Sequence, residues 1–189
     1  ETGFFLDLGA HSGKWCSNSK LVEEQLGWQG VCVEPFPADF DDRKCVLARR
    51  AIAAESGELL SFAGCGWFSV MQGCKITKST AGEKLPTALS ISIKDILTCV
   101  DSGEYRSDSM YENQTCAGFA RKMKVPSFIH FISLDIDNTD GSYSVVKDFP
   151  WDKFDVGVWI IEKRNKTIDK WVEQFLGGKG YKRAPVENP

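Results

Sequence analysis

The chain of 189 residues carries only two histidines and no Cys-x-x-Cys pair. That scarcity argues against a structural zinc site, which needs several such ligands at close spacing, and no metal ligands are expected. Excess positive charge is also lacking: 23 Lys and Arg stand against 26 Asp and Glu, for a net charge of −3 and an isoelectric point near 5.5. A broad nucleic-acid surface rests on clustered Lys and Arg, so nucleic acid is not an expected partner. The short basic groups (Arg43, Lys44, Arg49, Arg50; Arg121, Lys122, Lys124; Lys163, Arg164, Lys166) are interrupted by apolar residues and read as solvated faces of elements. No apolar run is long enough to span a bilayer, and there is no signal peptide. No linker, repeat or low-complexity tract divides the chain. The expectation is one domain over 1–189 with a surface insertion at about 101–124, where no clean period is found. Because the chain begins directly on a strand, it reads as a trimmed part of a larger or membrane-anchored protein, with Glu1 and Thr2 set aside.

Cysteine, by contrast, is plentiful. There are seven (Cys16, Cys32, Cys45, Cys65, Cys74, Cys99, Cys116), and the odd count leaves at least one thiol free if the others pair. Cys32, between Val31 and Val33 in a buried strand, is the expected free thiol. Cys65 with Cys74, and Cys99 with Cys116, bracket irregular stretches that suit disulfides. Two glycosylation tripeptides, Asn113-Gln-Thr and Asn165-Lys-Thr, point the same way. Together they favour a disulfide-bonded glycoprotein of the secretory pathway lumen or the extracellular space.

Apolar runs alternate with helical periods. FFLDL at 4–8, GVCVEP at 30–35, VLARRAIAA at 46–54, GELLSFAG at 57–64, ALSISI at 88–93, FIHFISLDID at 128–137 and DVGVWIIE at 155–162 read as strands. SKLVEEQLG at 19–27, with Leu21, Val22 and Leu26 on one face, reads as a helix, as do a short polar segment near 37–43, KDILTCV, YSVVKDF and TIDKWVEQFLGG. Continuous apolar strands alternating with helices imply a doubly wound, mostly parallel Rossmann-like α/β sheet with helices on both faces. After the last helix only YKRAPVENP remains, so a closing C-terminal strand pair is expected to be incomplete. Of the two histidines, His130 reads as a satisfied strand residue. Trp67-Phe68 reads as local packing ahead of a sugar-stacking role.

In such sheets ligands bind beyond the carboxyl ends of the strands. The first such end carries GFFLDLGAHSG, with Asp-x-Gly-x-x-x-Gly spacing in place of the Gly-x-Gly-x-x-Gly of dinucleotide binders. The looser turn leaves room for a zwitterionic amino-acid tail, with an acid facing its ammonium. Glu34 ends the second strand about 20 residues past Gly13, the offset at which a carboxylate takes ribose hydroxyls. Strand, turn, helix, strand and acid in this order point to S-adenosylmethionine.

The sequence resembles the FkbM-type methyltransferases of the class I, S-adenosylmethionine-dependent group. The resemblance runs from residue 3 to about 183. It rests on GFFLDLGAHSG, CSNS at 16–19, LGWQGVCVEP at 26–35, RRAIAAESG at 49–57, ISLDIDNTDGSYSVVKDFPW at 132–151 and the closing FLGGKGYKR. It implies that Asp7, Gly9, Ala10 and Gly13 line the methionine and ribose side, with His11 inside the same loop. It further implies that Ser17, Asn18 and Ser19 meet the carboxylate, that Glu34, followed by Pro35, takes the ribose, and that Ala51 and Ile52 sit near the adenine. The implied activity is methyl transfer, typically to an oxygen of a sugar or other small acceptor.

Candidate bases for the acceptor proton are Asp135, Asp137 and Asp140, at and just beyond the end of the strand over 128–137. Carboxylates this close raise one pKa toward neutrality or recruit a cation, but an EF-hand register fails, since its sixth position falls on Asp140 and its twelfth on Val146. The family pattern here resembles Asp-x-Glu-Gly-x-Glu; this chain has extra residues before Gly141 and no acid where the last Glu would stand. Two readings follow. One is an O-methyltransferase acting on a glycan or small molecule. The other is a methyltransferase-like binding module without turnover, contacting a protein partner through 101–124.

Overall fold

The structure is a computed structural model that describes residues 2–63, 75–80, 84–102, 125–137, 139–163 and 165–185. Its main sheet has five parallel strands in the order β3-β2-β1-β8-β9: β1 (Phe4–Leu8), β2 (Gln29–Val33), β3 (Val46–Ala48), β8 (Phe128–Leu134) and β9 (Asp155–Ile161). Between β3 and β8 the chain builds a second, mixed sheet in the order β4-β7-β5-β6, from β4 (Ala51–Ile52), β5 (Leu59–Ala63), β6 (Lys75–Lys78) and β7 (Thr87–Ile91). The helices are α1 (Lys20–Leu26), α2 (Ile93–Ser102), α3 (Thr139–Asp148) and α4 (Lys166–Gly178).

Alternation along the strands sorts side chains to two faces. Leu6 and Leu8 of β1, Val31 and Val33 of β2, and Ile132 and Leu134 of β8 join Ile96 and Leu97 of α2, Val145 and Val146 of α3, and Val172 and Leu176 of α4 in the main core. Ile52 and Ile91 of the second sheet enter the same core. Leu6 is fully buried, so its truncation to alanine would cost about 2–5 kcal/mol. The opposite face carries Phe5, Cys32, Cys45 and Phe131, packed by Val22 of α1 and by Phe40. This cover stops short of β9, whose Val158 and Ile160 stay about half exposed.

Several expectations change. The stretch over 46–54 is not one strand: Arg50 N–H donates to Ala48 O (2.9 Å), a tight turn that sends the chain from the main sheet into the second. No helix forms near 37–43; an isolated bridge joins Ala38 to Ser12 instead. The second sheet as a separate unit, with its antiparallel β5–β6 pair, is not expected from the alternation of strands and helices. Of the expected apolar face of helix α1, Val22 packs inward beside Glu23 and the two leucines do not. Leu21 and Leu26 are exposed (60% each), whereas Glu23 is buried at 4%. Its stop is as expected, with Gly27 in the left-handed region at φ +65°.

Cys32 is not the free thiol. It is bonded to Cys45, and Cys16 is free and exposed. The reason lies in the alternation: Cys32 points away from the face of Val31 and Val33, toward the segment that returns to β3. The proposed Cys65–Cys74 and Cys99–Cys116 bridges, Trp67-Phe68, Asn113 and nearly all of the 101–124 insertion lie outside what the structure describes. His130 is satisfied as expected: its Nδ1 accepts from Phe4 N–H (3.2 Å), and its ring packs on Trp28 and Phe128. Among the described residues no strand follows α4, and no helix is long and apolar enough to cross a membrane.

Candidate active site

The strand order turns back on itself at β1, which has β2 on one side and β8 on the other. The chain leaving β1 is pinned between those two neighbours. Gly9 and Ala10 N–H both donate to Val33 O (2.9 and 3.1 Å), and Asp135 N–H donates to Leu8 O (2.9 Å). Gly9 has φ +86°, and a Cβ there would lie 1.9 Å from the Asp135 carbonyl oxygen. At Gly13 a Cβ would lie 2.3 Å from the Asp39 carbonyl oxygen. Both glycines are thus demanded by backbone lying on backbone.

This nesting gathers three strand ends around Glu34. Its Oε2 accepts from His11 N–H (2.9 Å) and its Oε1 from Phe36 N–H (3.0 Å). Burial pushes its carboxyl above the usual range. The Phe36 and His11 N–H groups and the His11 ring oppose that rise, and the Asp137 charge adds to it. Beside it the Phe36 ring, itself exposed, meets Phe62 of β5 edge-on at 5.0 Å.

Asp7 lies deeper, 2% exposed. Its Oδ2 accepts from Ser19 Oγ and from Ser17 Oγ (3.4 Å). Burial pushes this carboxyl up as well, against the serine hydrogen bonds, the charge of Arg43 and a bond from Ser133 of β8. Ser19 stands at the N-cap position of α1, yet its side chain caps nothing. Its hydroxyl is committed to Asp7, and Ser17 Oγ accepts Lys20 N–H instead (3.2 Å). Asn18, exposed, donates to Ser133 Oγ (3.0 Å).

Behind the serines lies a buried ion pair. Arg43 Nε donates to Glu23 Oε2, with side chains only 1% and 2% exposed. Its remaining nitrogens donate to Ser17 Oγ (3.0 Å) and Ser19 Oγ (2.8 Å). Arg43 therefore does not belong to a solvated face. The sequence marks neither Arg43 nor Glu23 as a site residue, because a pair 20 residues apart falls in no helical or strand period.

The sequence-expected residues thus divide. Asp7, Gly9, Ala10, His11, Gly13, Ser17, Asn18, Ser19, Glu34 and Pro35 come together at the ends of β1 and β2. Asp135 and Asp137 stand exposed just past β8, with Asp137 close enough to act on Glu34. Asp140 lies in the first turn of α3, but its side chain is outside the described set. Ala51 and Ile52 form β4 and are buried at 3% and 6%. Among the described residues no group of His, Cys, Asp and Glu is placed to hold a metal ion.

A glycine turn seated between two strand ends, with an acid closing the next strand, is the geometry of a class I methyltransferase, and the methyltransferase FkbM domain matches residues 7–182. The chain belongs to the FkbM methyltransferase domain family. No curated protein and no solved structure matches it. In this FkbM domain two carboxyl groups, Asp7 and Glu34, flank the turn and are both strained toward protonation by burial. The Arg43 guanidinium nearby is paired with Glu23.

Proposed function

We propose that the FkbM domain is an S-adenosylmethionine-dependent methyltransferase acting on an oxygen of a glycan or small-molecule acceptor. The observation that carries this reading is the placement of two buried carboxyls, Asp7 and Glu34, on either side of the glycine turn at adjacent strand ends, with burial the largest influence on each. A buried carboxylate is stabilised by an opposite charge brought to it, so these strand ends suit a ligand that is cationic at one end and offers a diol at the other. The residues present fit that ligand. Each Glu34 oxygen accepts one backbone N–H and keeps a lone pair for a ribose hydroxyl. Phe36 supplies an apolar wall for an adenine ring. Asp7 acts from below, by ordering Ser17 and Ser19 and by its charge, since it is closed to solvent.

When bound, the cofactor supplies a methyl group on a sulfonium, the electrophile for an acceptor hydroxyl. Orientation is then the chain's main task. The turn Gly9–His11, fixed against the ends of β2 and β8, would hold the donor at the end of β1. The exposed Asp137 or Asp135 takes the acceptor's hydroxyl proton on a carboxylate oxygen, a contribution of about 100- to 10,000-fold. The Cys32–Cys45 disulfide and the exposed Asn165 sequon support placement in the secretory lumen or outside the cell.

Calorimetric titration with S-adenosylhomocysteine tests the reading. Saturable binding by the wild type, lost in Glu34→Ala, is the expected outcome. A folded wild type that takes up no S-adenosylhomocysteine overturns it.

A further inference from the structure

Arg43 sits two residues before Cys45, which is bonded to Cys32. Cys32 is in turn the ladder partner of Asp7 across β1 and β2. The disulfide therefore hangs the segment leading into β3 beneath the sheet face on which Asp7 lies. Arg43 enters from that segment with its donors divided. Nε meets Glu23, one terminal nitrogen meets Ser17, and the other meets Ser19 and lies 3.5 Å from Cys32 Sγ. The Phe40 ring covers the guanidinium at 5.6 Å, and Lys44 N–H holds the other oxygen of Glu23 (3.0 Å).

A guanidinium only donates. Each serine oxygen then accepts from Arg43, which leaves the Ser19 proton for Asp7 and the Ser17 proton for Asp7 or for Ser19 Oγ, each at 3.4 Å. Arg43 thus sets the direction of both hydroxyls without touching Asp7 itself.

We propose that Arg43 is the positioning residue of the methyl-donor pocket, orienting Asp7 through Ser17 and Ser19, and that the Cys32–Cys45 disulfide is the tether that holds it in place. This rests on the donor reading given above. Around Asp7 stand Ser17, Ser19, Cys32 on β2, Ser133 on β8 and Arg43, with Glu23 of α1 behind the guanidinium; Arg43 is the charge that acts on it. Opening the tether by exchange with a dithiol yields two protein thiols and the oxidised reductant. The segment carrying Arg43 is then free to withdraw, so donor affinity falls on reduction.

The test is titration with S-adenosylhomocysteine across pH. It compares the oxidised wild type, the wild type in dithiothreitol, Arg43→Lys, Cys32→Ala/Cys45→Ala, and Asp7→Asn alone and combined with Arg43→Lys. Arg43→Lys keeps the charge but loses the fork, so affinity is expected to fall at least tenfold while the acid limb of binding stays where it is. Asp7→Asn is expected to add little on top of Arg43→Lys, a non-additivity that a merely structural residue would not give. The reduced wild type and the cysteine variant are expected to weaken together, by three- to tenfold. Wild-type affinity in a folded Arg43→Lys, or full additivity with Asp7→Asn, overturns the assignment while leaving the donor reading intact. If Arg43→Lys fails to fold, the cysteine variant decides, and unchanged affinity there overturns the proposal. No binding by the oxidised wild type overturns both.

Discussion

Arg43 and Glu23 form an ion pair sealed from water, with side chains 1% and 2% exposed, on a helix whose leucines face outward. Removing one partner leaves a buried charge without its counterion, at a cost of about 3–5 kcal/mol. Glu23→Gln is expected to lose roughly that amount in urea denaturation. The double change Glu23→Leu/Arg43→Met should recover part of it, because an apolar pair needs no counterion, although Lys44 N–H, Ser17 and Ser19 lose a partner. Additive losses in the two single variants and the double would contradict this.

Asp7 and Glu34 are both pushed upward by burial. Each favours its protonated form in the folded state. Their contribution to stability is therefore full below the unfolded values, 3.8 and 4.5, and is lost as pH rises through the raised folded values. Asp7→Asn should flatten that decline. We expect thermal melts in which the wild type loses Tm more steeply than the variant as pH rises above 3.8. The same variant should bind S-adenosylhomocysteine more weakly, so stability and donor affinity move in opposite directions at neutral pH.

Gly9→Ala places a Cβ against the Asp135 carbonyl in a left-handed backbone. Strain and overpacking together amount to about 3 kcal/mol. The expected result is a large fall in the urea midpoint, whereas Gly27→Ala, with open space around it, should lose only the left-handed backbone term of about 1 kcal/mol.

Asn165 caps α4, its Oδ1 accepting from Thr167 and Ile168 N–H (3.0 and 3.3 Å). Asn165→Ala should cost about 1 kcal/mol and Asn165→Asp close to nothing. Equal loss in both would show that the cap does not carry the effect.

The parallel sheet was legible because FFLDL, GVCV and FIHFISL are apolar nearly throughout, as strands covered on both faces are, and DVGVWII reads the same way although one face of it stays open. The turn at Gly9 and the acid at Glu34 were legible as punctuation of those runs. The second sheet was not. Its strand over 75–78, Lys-Ile-Thr-Lys, has little apolar character, and the tight turn at Arg49-Arg50 carries no Gly or Pro to mark it. Helix α1 misled for a different reason: an apolar count places Leu21 inward, but the pull on Glu23 from Arg43 rotates the helix the other way. Cys32 was read as free from its valine neighbours, although alternation sends it to the opposite face.

The groups gathered around the glycine turn, from Asp7 through Glu23 and Glu34 to Cys45, all come from the first quarter of the chain. Among the described residues, Ser133 reaches in from a distant strand to bond Asp7 and Asn18. Asp135 and Asp137, and the second sheet with Phe62, are encoded later and separately. The two sets of groups are thus encoded in separate stretches of the chain. Exchanges after residue 50 can remake the proposed acceptor side while the first stretch keeps its charge balance and its covalent brace.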